Sequence, residues 1–263
     1  MDILEQTKPN KNKWISFLAD GILSGLMLGI GGMVSLSSEN RFLGAFLFSL
    51  GLFCIVQFKY GLFTGKVGYI VSRDLPYVVE TAVTLVGNAL GTLIAALLLR
   101  QVRFFTSTVS TMDVTISDRV QATVSGKIHD NPLSIFILAI FCGILMFTAV
   151  EGSRKCREEQ NFTGSLFVVV MPVMVFIICG FNHCIADMFY YFFAGCPEPS
   201  KAIVYFILAI AGNSVGGMIV PLLKNVIESA TLKTASFLQT QKRVPVTKRY
   251  TLFYMQIQQF YFC

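Results

Sequence analysis

The stretch Gly180-Phe181-Asn182-His183-Cys184-Ile185-Ala186-Asp187-Met188-Phe189-Tyr190 places a histidine between two long apolar segments of the chain. An ionisable side chain at membrane depth is energetically costly, so it is usually retained for a substrate or proton pathway. His183 is therefore the first candidate for a functional residue. The apolar segments around it indicate a membrane protein.

The composition agrees with that interpretation. Of the 263 residues, 54% are hydrophobic and only 14% are charged, whereas about 25% are charged in a typical soluble domain. The charges fall between apolar runs of about 20 residues, the length that crosses a hydrocarbon core of about 30 Å. The sequence thus predicts an all-α membrane protein with six transmembrane helices: 14–36, 42–63, 78–99, 132–150, 166–193 and 202–223.

Basic residues predict the orientation. Lys8, Lys11 and Lys13 precede the first span, and the cluster Arg154–Arg157 lies between the fourth and fifth spans. Short cytoplasmic loops are enriched in Lys and Arg, so both termini are expected in the cytoplasm. Basic residues between spans three and four argue the other way, although aspartates accompany them. The expected domains are a cytoplasmic segment 1–13, a channel domain 14–226, and a basic cytoplasmic tail 227–263 that is predicted to be disordered.

The sequence offers little support for an enzyme or a cofactor site. The seven cysteines lack metal-ligand spacing, and His129 and His183 are the only two histidines, so no metal or other cofactor is expected. No nucleophile motif or phosphate-binding glycine loop is present in the sequence. We therefore expect a protein that is not an enzyme.

Two features recur in the two halves of the chain. Gly87-Asn88-x-x-Gly91 in span three matches Gly212-Asn213-x-x-Gly216 in span six. Helix interruptions are predicted at Tyr60–Lys66 in span two and within Cys179–Gly195 in span five. Unwound backbone survives at membrane depth only where protein buries it or a cavity solvates it, and paired interruptions indicate a permeation site. With three spans each, the repeats 14–100 and 132–226 are expected to be inverted.

A stripe of small residues runs along span one, formed by Gly21, Gly25, Gly29 and Gly32. Small residues at this spacing allow helices to approach closely. The sequence does not decide whether the stripe packs within one protomer or between neighbouring protomers.

These motifs together, with Leu62-Phe63-Thr64-Gly65 and the stretch around His183, resemble the formate/nitrite transporter family over about residues 14–226. The resemblance implies an aquaporin-like protomer of six helices, two of them broken, assembled as a homopentamer in the cell membrane with one pore in each protomer. It also implies transport of small monovalent anions, with formate ranked first and hydrosulfide and nitrite close behind.

The resemblance also implies roles for individual residues. His183 matches the family's central pore histidine, Phe63 and Phe176 match the aromatic constrictions beside it, and Asn88 and Asn213 match asparagines of the third and sixth helices. Thr64 and Asn182 lie inside the same motifs and are candidate pore residues. Each of these residues has a purely structural alternative, namely core packing or a helix-helix hydrogen bond.

The chain departs from the family pattern at three places. Members often have Glu before the histidine and Asn four residues after it, where this chain has Asn182 and Asp187. Asp187 is expected either to tune His183 or to cap a short helix. Many members have a lysine where this chain has Ser165, so the attraction of anions is assigned to Lys66 or to Arg154–Arg157.

The expected mechanism follows from the cost of a bare anion in a dry constriction. A weak-acid anion accepts a proton near His183, crosses as the neutral acid and ionises on the other side. Two other classes stay open at this point, an aquaporin-like channel for neutral solutes and a membrane sensor that transports nothing. An Asn-Pro-Ala motif at both broken helices would favour the aquaporin, and the sequence contains neither copy.

Overall fold

The computed structural model describes residues 11–109 and 114–243 of the chain. This part is almost entirely helical, with one short antiparallel hairpin that pairs Thr108–Val109 (β1) with Val114–Thr115 (β2). The α-helices are α1 (Lys11–Ser37), α2 (Arg41–Gln57), α3 (Phe63–Lys66), α4 (Leu75–Arg100), α5 (Ile116–Ile128), α6 (Pro132–Glu158), α7 (Phe162–Cys179), α8 (Cys184–Phe193) and α9 (Pro199–Arg243), with 3-10 helices at Val67–Ser72 and Arg103–Thr106.

Six of these helices, α1, α2, α4, α6, α7 and α9, are long and apolar enough to cross a membrane. The predicted number of spans and the all-α class are thus confirmed. Successive spans alternate in direction, so α1, α4 and α7 begin on one side of the membrane. We call that side the amino-terminal face and the other side the opposite face.

The two interrupted helices are present, and the first break differs from the predicted one. Helix α2 ends at Gln57 and the chain is non-helical until Leu62, so the stretch Phe63–Lys66 is helical and not part of the break. Span five consists of α7 and α8, separated by residues 180–183. Gly180 ends α7 with a left-handed backbone (φ 72°), which glycine adopts without a steric penalty.

The glycine stripe of α1 packs inside the protomer. A Cβ atom on Gly25 would lie 2.4 Å from the Asn88 carbonyl oxygen of α4, and one on Gly32 would lie 2.6 Å from the ring of Phe189 in α8. A Cβ on Gly91 would lie 2.2 Å from the Ile22 carbonyl oxygen of α1. The stripe therefore brings α1 into backbone contact with α4 and makes room for α8, which settles the question that the sequence left open.

The connection between α4 and α6 contains a helix that the hydropathy pattern did not predict. Helix α5 buries one residue per turn, and Thr115 and Asp118 form a capping box at its start. These hydrogen bonds from Thr115 lower the pKa of the exposed Asp118 carboxyl group. The buried side chains of α5 are Ile116, Val120, Val124 and Ile128.

The C-terminal part of the chain departs from the prediction. The structure separates into one unit that extends to Pro221 and a second that begins at Leu222. Helix α9 continues to Arg243, so the first part of the tail that was predicted to be disordered is helical. Residues 244–263 of that tail and most of the segment 1–13 lie outside the described residues.

We expect Gly91→Ala to destabilise the protein by about 1–3 kcal/mol, because the added methyl group would force apart the backbones of α1 and α4. The melting temperature of purified protein in mild detergent measures this effect. Gly126→Ala in α5 is the control, since a Cβ there meets no atom within 4 Å. Equal melting temperatures for the two variants would contradict the packing described here.

Candidate functional site

Asn88 holds the first broken helix in place. Its side-chain amide donates hydrogen bonds to the carbonyl oxygens of Gly21 in α1 (2.9 Å) and Gly61 in the break (2.8 Å). Its side-chain oxygen accepts a hydrogen bond from the backbone N–H of Phe63, the first residue of α3, at 2.9 Å. One buried side chain thereby bonds main-chain groups of α1, of the break and of α3, because unwound backbone at membrane depth needs such partners.

Asn213 of α9 does the same for the second broken helix. Its amide donates to the carbonyl oxygens of Ala139 in α6 and Asn182 in the break, each at 2.8 Å, and its oxygen accepts from the backbone N–H of Cys184 at 2.9 Å. This pattern matches Cys184 to Phe63 and, one residue earlier, His183 to Leu62. In this pattern Phe63 corresponds to Cys184, and Phe176 does not occupy the place equivalent to Phe63 in the second half.

His183 is the N-cap residue of α8 and is only 1% exposed. Its Nδ1 atom accepts a hydrogen bond from the backbone N–H of Ala186 at 3.0 Å, and its Nε2 atom lies 2.9 Å from the hydroxyl oxygen of Thr64 in α3. Thr64 is fully buried. The second segments of the two broken helices, α3 and α8, thus begin next to each other, and this hydrogen bond joins their first turns.

An aromatic ring packs against the pair on one side. The ring of Phe176 in α7 stacks on the His183 imidazole with 5.5 Å between centroids, and it packs edge-on against Phe48 of α2. Phe63 is buried at the first position of α3, directly before Thr64. The structure therefore places Phe176 against the histidine, and it places Phe63 beside the threonine that bonds the histidine.

A charged cluster lies behind the histidine. The ammonium group of Lys127 in α5 is 3.2 Å from a carboxylate oxygen of Asp187 and 2.8 Å from the amide oxygen of Asn182. The Tyr205 hydroxyl donates to the Asp187 carboxylate at 2.6 Å. Asp187 is only 4% exposed, and these contacts provide the partners that a buried carboxylate needs. It does not cap α8, because His183 already does.

This cluster explains two departures from the family pattern. The family often has a carboxylate before the histidine and an amide four residues after it, and this chain has the reverse, Asn182 and Asp187. Both side chains contact the same Lys127 ammonium group. The cluster of this chain therefore contains one cation and one carboxylate.

Two cavities approach the His183–Thr64 pair from opposite faces. The amino-terminal cavity has a volume of about 490 Å³ and reaches Leu62 and Gly65 on either side of Phe63 and Thr64. The opposite cavity, of about 540 Å³, reaches Phe176, Ala186 and Asp187. Cations that line the first are Lys59, Lys66, Arg73, Arg154 and Arg157, and those that line the second are Arg41, Arg119 and Lys127.

A family model for formate/nitrite transporters matches residues 4–227. The chain belongs to the formate/nitrite transporter family. This membership places it among multi-pass membrane transporters rather than enzymes, and it confirms the resemblance seen in the motifs.

Curated members of the family are similar to the chain at modest identity. The "Formate channel FocA" of Haemophilus influenzae is 26% identical over 194 residues, which are 69% of this chain and 67% of that protein. The "Uncharacterized transporter YrhG" of Bacillus subtilis is also 26% identical, over 78% of this chain and 81% of its own length.

Two solved structures share the fold. One described as "Pentameric formate channel with formate bound" superposes with a TM-score of 0.68 at 23% identity, covering 84% of this chain and 99% of that one. Another, described as "FNT family ion channel", gives a TM-score of 0.65 at 16% identity, covering 80% and 86%.

The predicted site residues are thus brought together only in part. His183, Thr64 and Phe176 are in contact, while Asn88 and Asn213 fix the breaks. Lys66 lines the amino-terminal cavity, but its ammonium group forms an ion pair with Glu80. The contact of Lys127 with the motif around His183 was not predicted, and the only sequence signal for the helix that carries Lys127 is the amphipathic period of α5.

We expect Lys127→Met to destabilise the protein by about 3–5 kcal/mol, since it leaves the Asp187 carboxylate buried without its cation. Adding Asp187→Asn to this variant should recover most of the lost stability, because the uncompensated charge is then gone. Thermal unfolding of the two single variants and the double variant in detergent measures the coupling. Strictly additive effects would mean that the two charges do not interact.

Proposed function

We propose that this chain conducts small monovalent anions of weak acids across a membrane, with formate as first choice and nitrite and hydrosulfide as alternatives. The proposal depends chiefly on one observation, the buried hydrogen bond between His183 and Thr64 at the point where the two cation-lined cavities approach each other. The similarity to proteins described as formate channels supports formate as the first choice.

The hydrogen bonds of His183 determine what the ring can do. A ring nitrogen that accepts a hydrogen bond carries no proton, so the proton of the neutral ring is on Nε2, which donates to the Thr64 hydroxyl oxygen. The hydroxyl hydrogen of Thr64 is then available to a solute. A proton on Nδ1 would point directly at the backbone N–H of Ala186, which is unfavourable. His183 therefore serves as a fixed hydrogen-bond donor acting through Thr64, and it does not supply the transferred proton.

The proton then comes from water in the cavity through which the anion enters. The anion takes up that proton, passes the constriction as the neutral acid while the Thr64 hydroxyl donates to it, and loses the proton in the other cavity. One anion and one proton move together, so no net charge crosses the apolar constriction, where an unpaired ion would carry a large desolvation penalty. Formate, nitrite and hydrosulfide all satisfy this requirement.

The oligomeric state and the orientation belong to the same proposal. We assign a homopentamer with one pore in each protomer, supported by the fold shared with a pentameric channel. The amino-terminal face, which carries Arg154, Lys155 and Arg157, is assigned to the cytoplasm by the positive-inside rule. The inverted repeat is supported by the matched bonds of Asn88 and Asn213.

We expect His183→Asn to lower formate flux by roughly ten- to a hundredfold, the effect of losing one buried hydrogen-bond donor at the constriction. Asparagine is a good N-cap residue, so α8 keeps its cap while the contact with Thr64 is lost. Flux of formate, nitrite, hydrosulfide and glycerol into proteoliposomes measures the effect, with His129→Asn as the matched control. Wild-type flux in His183→Asn would contradict the proposed role, and glycerol as the preferred solute would favour a neutral-solute channel.

We expect Phe176→Ala to admit larger carboxylates such as acetate and lactate, because it removes the ring that stacks on His183. The ratio of lactate to formate flux in proteoliposomes measures this change. Phe167→Ala is the control, since Phe167 lies on the same helix and is 56% exposed. An unchanged ratio would mean that Phe176 only packs. The corresponding change at Phe63 tests the second ring in the same assay.

A further inference from the structure

The amino-terminal cavity differs in charge from the opposite one. Its lining contains cationic side chains and no carboxylate among the described residues. The opposite cavity is lined by both signs, including Glu39 and Asp187. An anion that enters from the amino-terminal face therefore meets a wall of positive charge, and the question is which of these cations binds it.

Most of these cations are already engaged or exposed. Lys66 forms an ion pair with Glu80, and Arg154 forms ion pairs with Glu151 and Glu158. Lys59 and Arg73 have exposed side chains, and exposed charges are strongly screened by water and salt. Arg157 alone among the cavity's described cations is half-buried and forms no ion pair with a carboxylate.

Hydrogen bonds to neutral groups fix Arg157. Its Nη1 atom donates to the carbonyl oxygen of Val56 at 3.1 Å and to the hydroxyl of Ser153 at 3.2 Å. Ser153 is buried and lies 2.6 Å from the hydroxyl of Ser165, which accepts a hydrogen bond from Gln57 at 2.8 Å. This chain of neutral hydrogen bonds orients the guanidinium group without neutralising it.

One edge of that guanidinium group has no partner among the described residues. In the part of the chain that the structure describes, Nε and Nη2 of Arg157 make no hydrogen bond. These two atoms present parallel N–H groups, the geometry that binds both oxygens of a carboxylate at once. A planar anion with two oxygens fits this edge, whereas an anion with one acceptor atom uses only half of it.

We propose that Arg157 is an anion-binding residue of the amino-terminal cavity that selects planar two-oxygen anions, such as formate and nitrite, over single-atom acceptors such as hydrosulfide. This inference rests on the proposed transport function and adds the source of its selectivity. It also places the attraction of anions at one member of the Arg154–Arg157 cluster, near Ser165, the position where many relatives have a lysine.

A purely structural role is the competing explanation. Arg41, Arg100 and Arg119 also donate to carbonyl oxygens at the C-terminal ends of other helices, where they compensate the helix dipole. Arg157 does this for α2 through Val56. If Arg157 only caps α2, its substitution should lower stability and weaken the transport of every anion equally. If Arg157 binds anions, its substitution should weaken binding by an amount that depends on the shape of the anion.

Arg157→Lys tests the proposal because it keeps the positive charge and removes the two-pronged donor edge. We expect the half-saturation concentrations for formate and nitrite to rise about tenfold, the effect of one lost charge-assisted hydrogen bond. The value for hydrosulfide should stay within about twofold, and maximal rates should be unchanged. Arg73→Lys, the same substitution in the same cavity, should leave all three anions unaffected.

The outcomes separate the two proposals. If the wild-type protein transports none of these anions into proteoliposomes, the proposed function fails before the variants are compared. Suppose the wild type transports formate. If Arg157→Lys then has the same half-saturation concentrations, or raises those for formate and hydrosulfide equally, the role of Arg157 is refuted and the proposed function is not. If Arg157→Lys does not fold, Ser153→Ala is the second variant, since it removes one hydrogen bond that orients Arg157. The proposal then requires that Ser153→Ala raise the half-saturation concentration for formate more than that for hydrosulfide.

Discussion

The need to satisfy backbone groups at membrane depth controls this structure. Each broken helix leaves N–H and C=O groups without helical partners, and one asparagine from a neighbouring helix bonds two of them and one carbonyl oxygen of a further helix. Because Asn88 and Asn213 make the same set of bonds, α3 and α8 begin at matched positions. That match is what brings Thr64 within hydrogen-bond distance of His183.

The same constraint links the fold to the chemistry of the site. The backbone N–H of Ala186 needs an acceptor at the start of α8, and His183 provides it with Nδ1. This cap fixes the tautomer, so the remaining proton must point at Thr64. The cap of α8 and the hydrogen bond to Thr64 therefore both follow from one ring orientation, and a substitution at His183 that keeps the cap can still lose the bond to Thr64.

Much of this arrangement could be predicted from the sequence, for identifiable reasons. Hydropathy located the six spans because every crossing helix must be apolar. The Gly-Asn motifs indicated the helices that support the breaks, because glycine lets two helices approach closely and asparagine can form hydrogen bonds between them. The partner of the α1 stripe, the ion pair of Lys66 with Glu80, and the approach of Lys127 to Asp187 could not be predicted, because they depend on how distant segments dock. The short helix α5 was not predicted, because its polar face lowers its mean hydropathy below that of a membrane span.

Lys127 and Arg157 differ in whether a carboxylate neutralises their charge. Moving the carboxylate from the position before His183 to the position four residues after it keeps it within reach of Lys127, since both positions face the same ammonium group. In this cluster the Asp187 carboxylate pairs with the half-buried Lys127 ammonium group, so the two charges cancel. At Arg157 the opposite holds, because no described carboxylate neutralises it and its bonds go to neutral oxygens. A cation whose charge is cancelled stabilises the fold, whereas a fixed cation left uncancelled in a cavity wall is suited to hold an incoming anion.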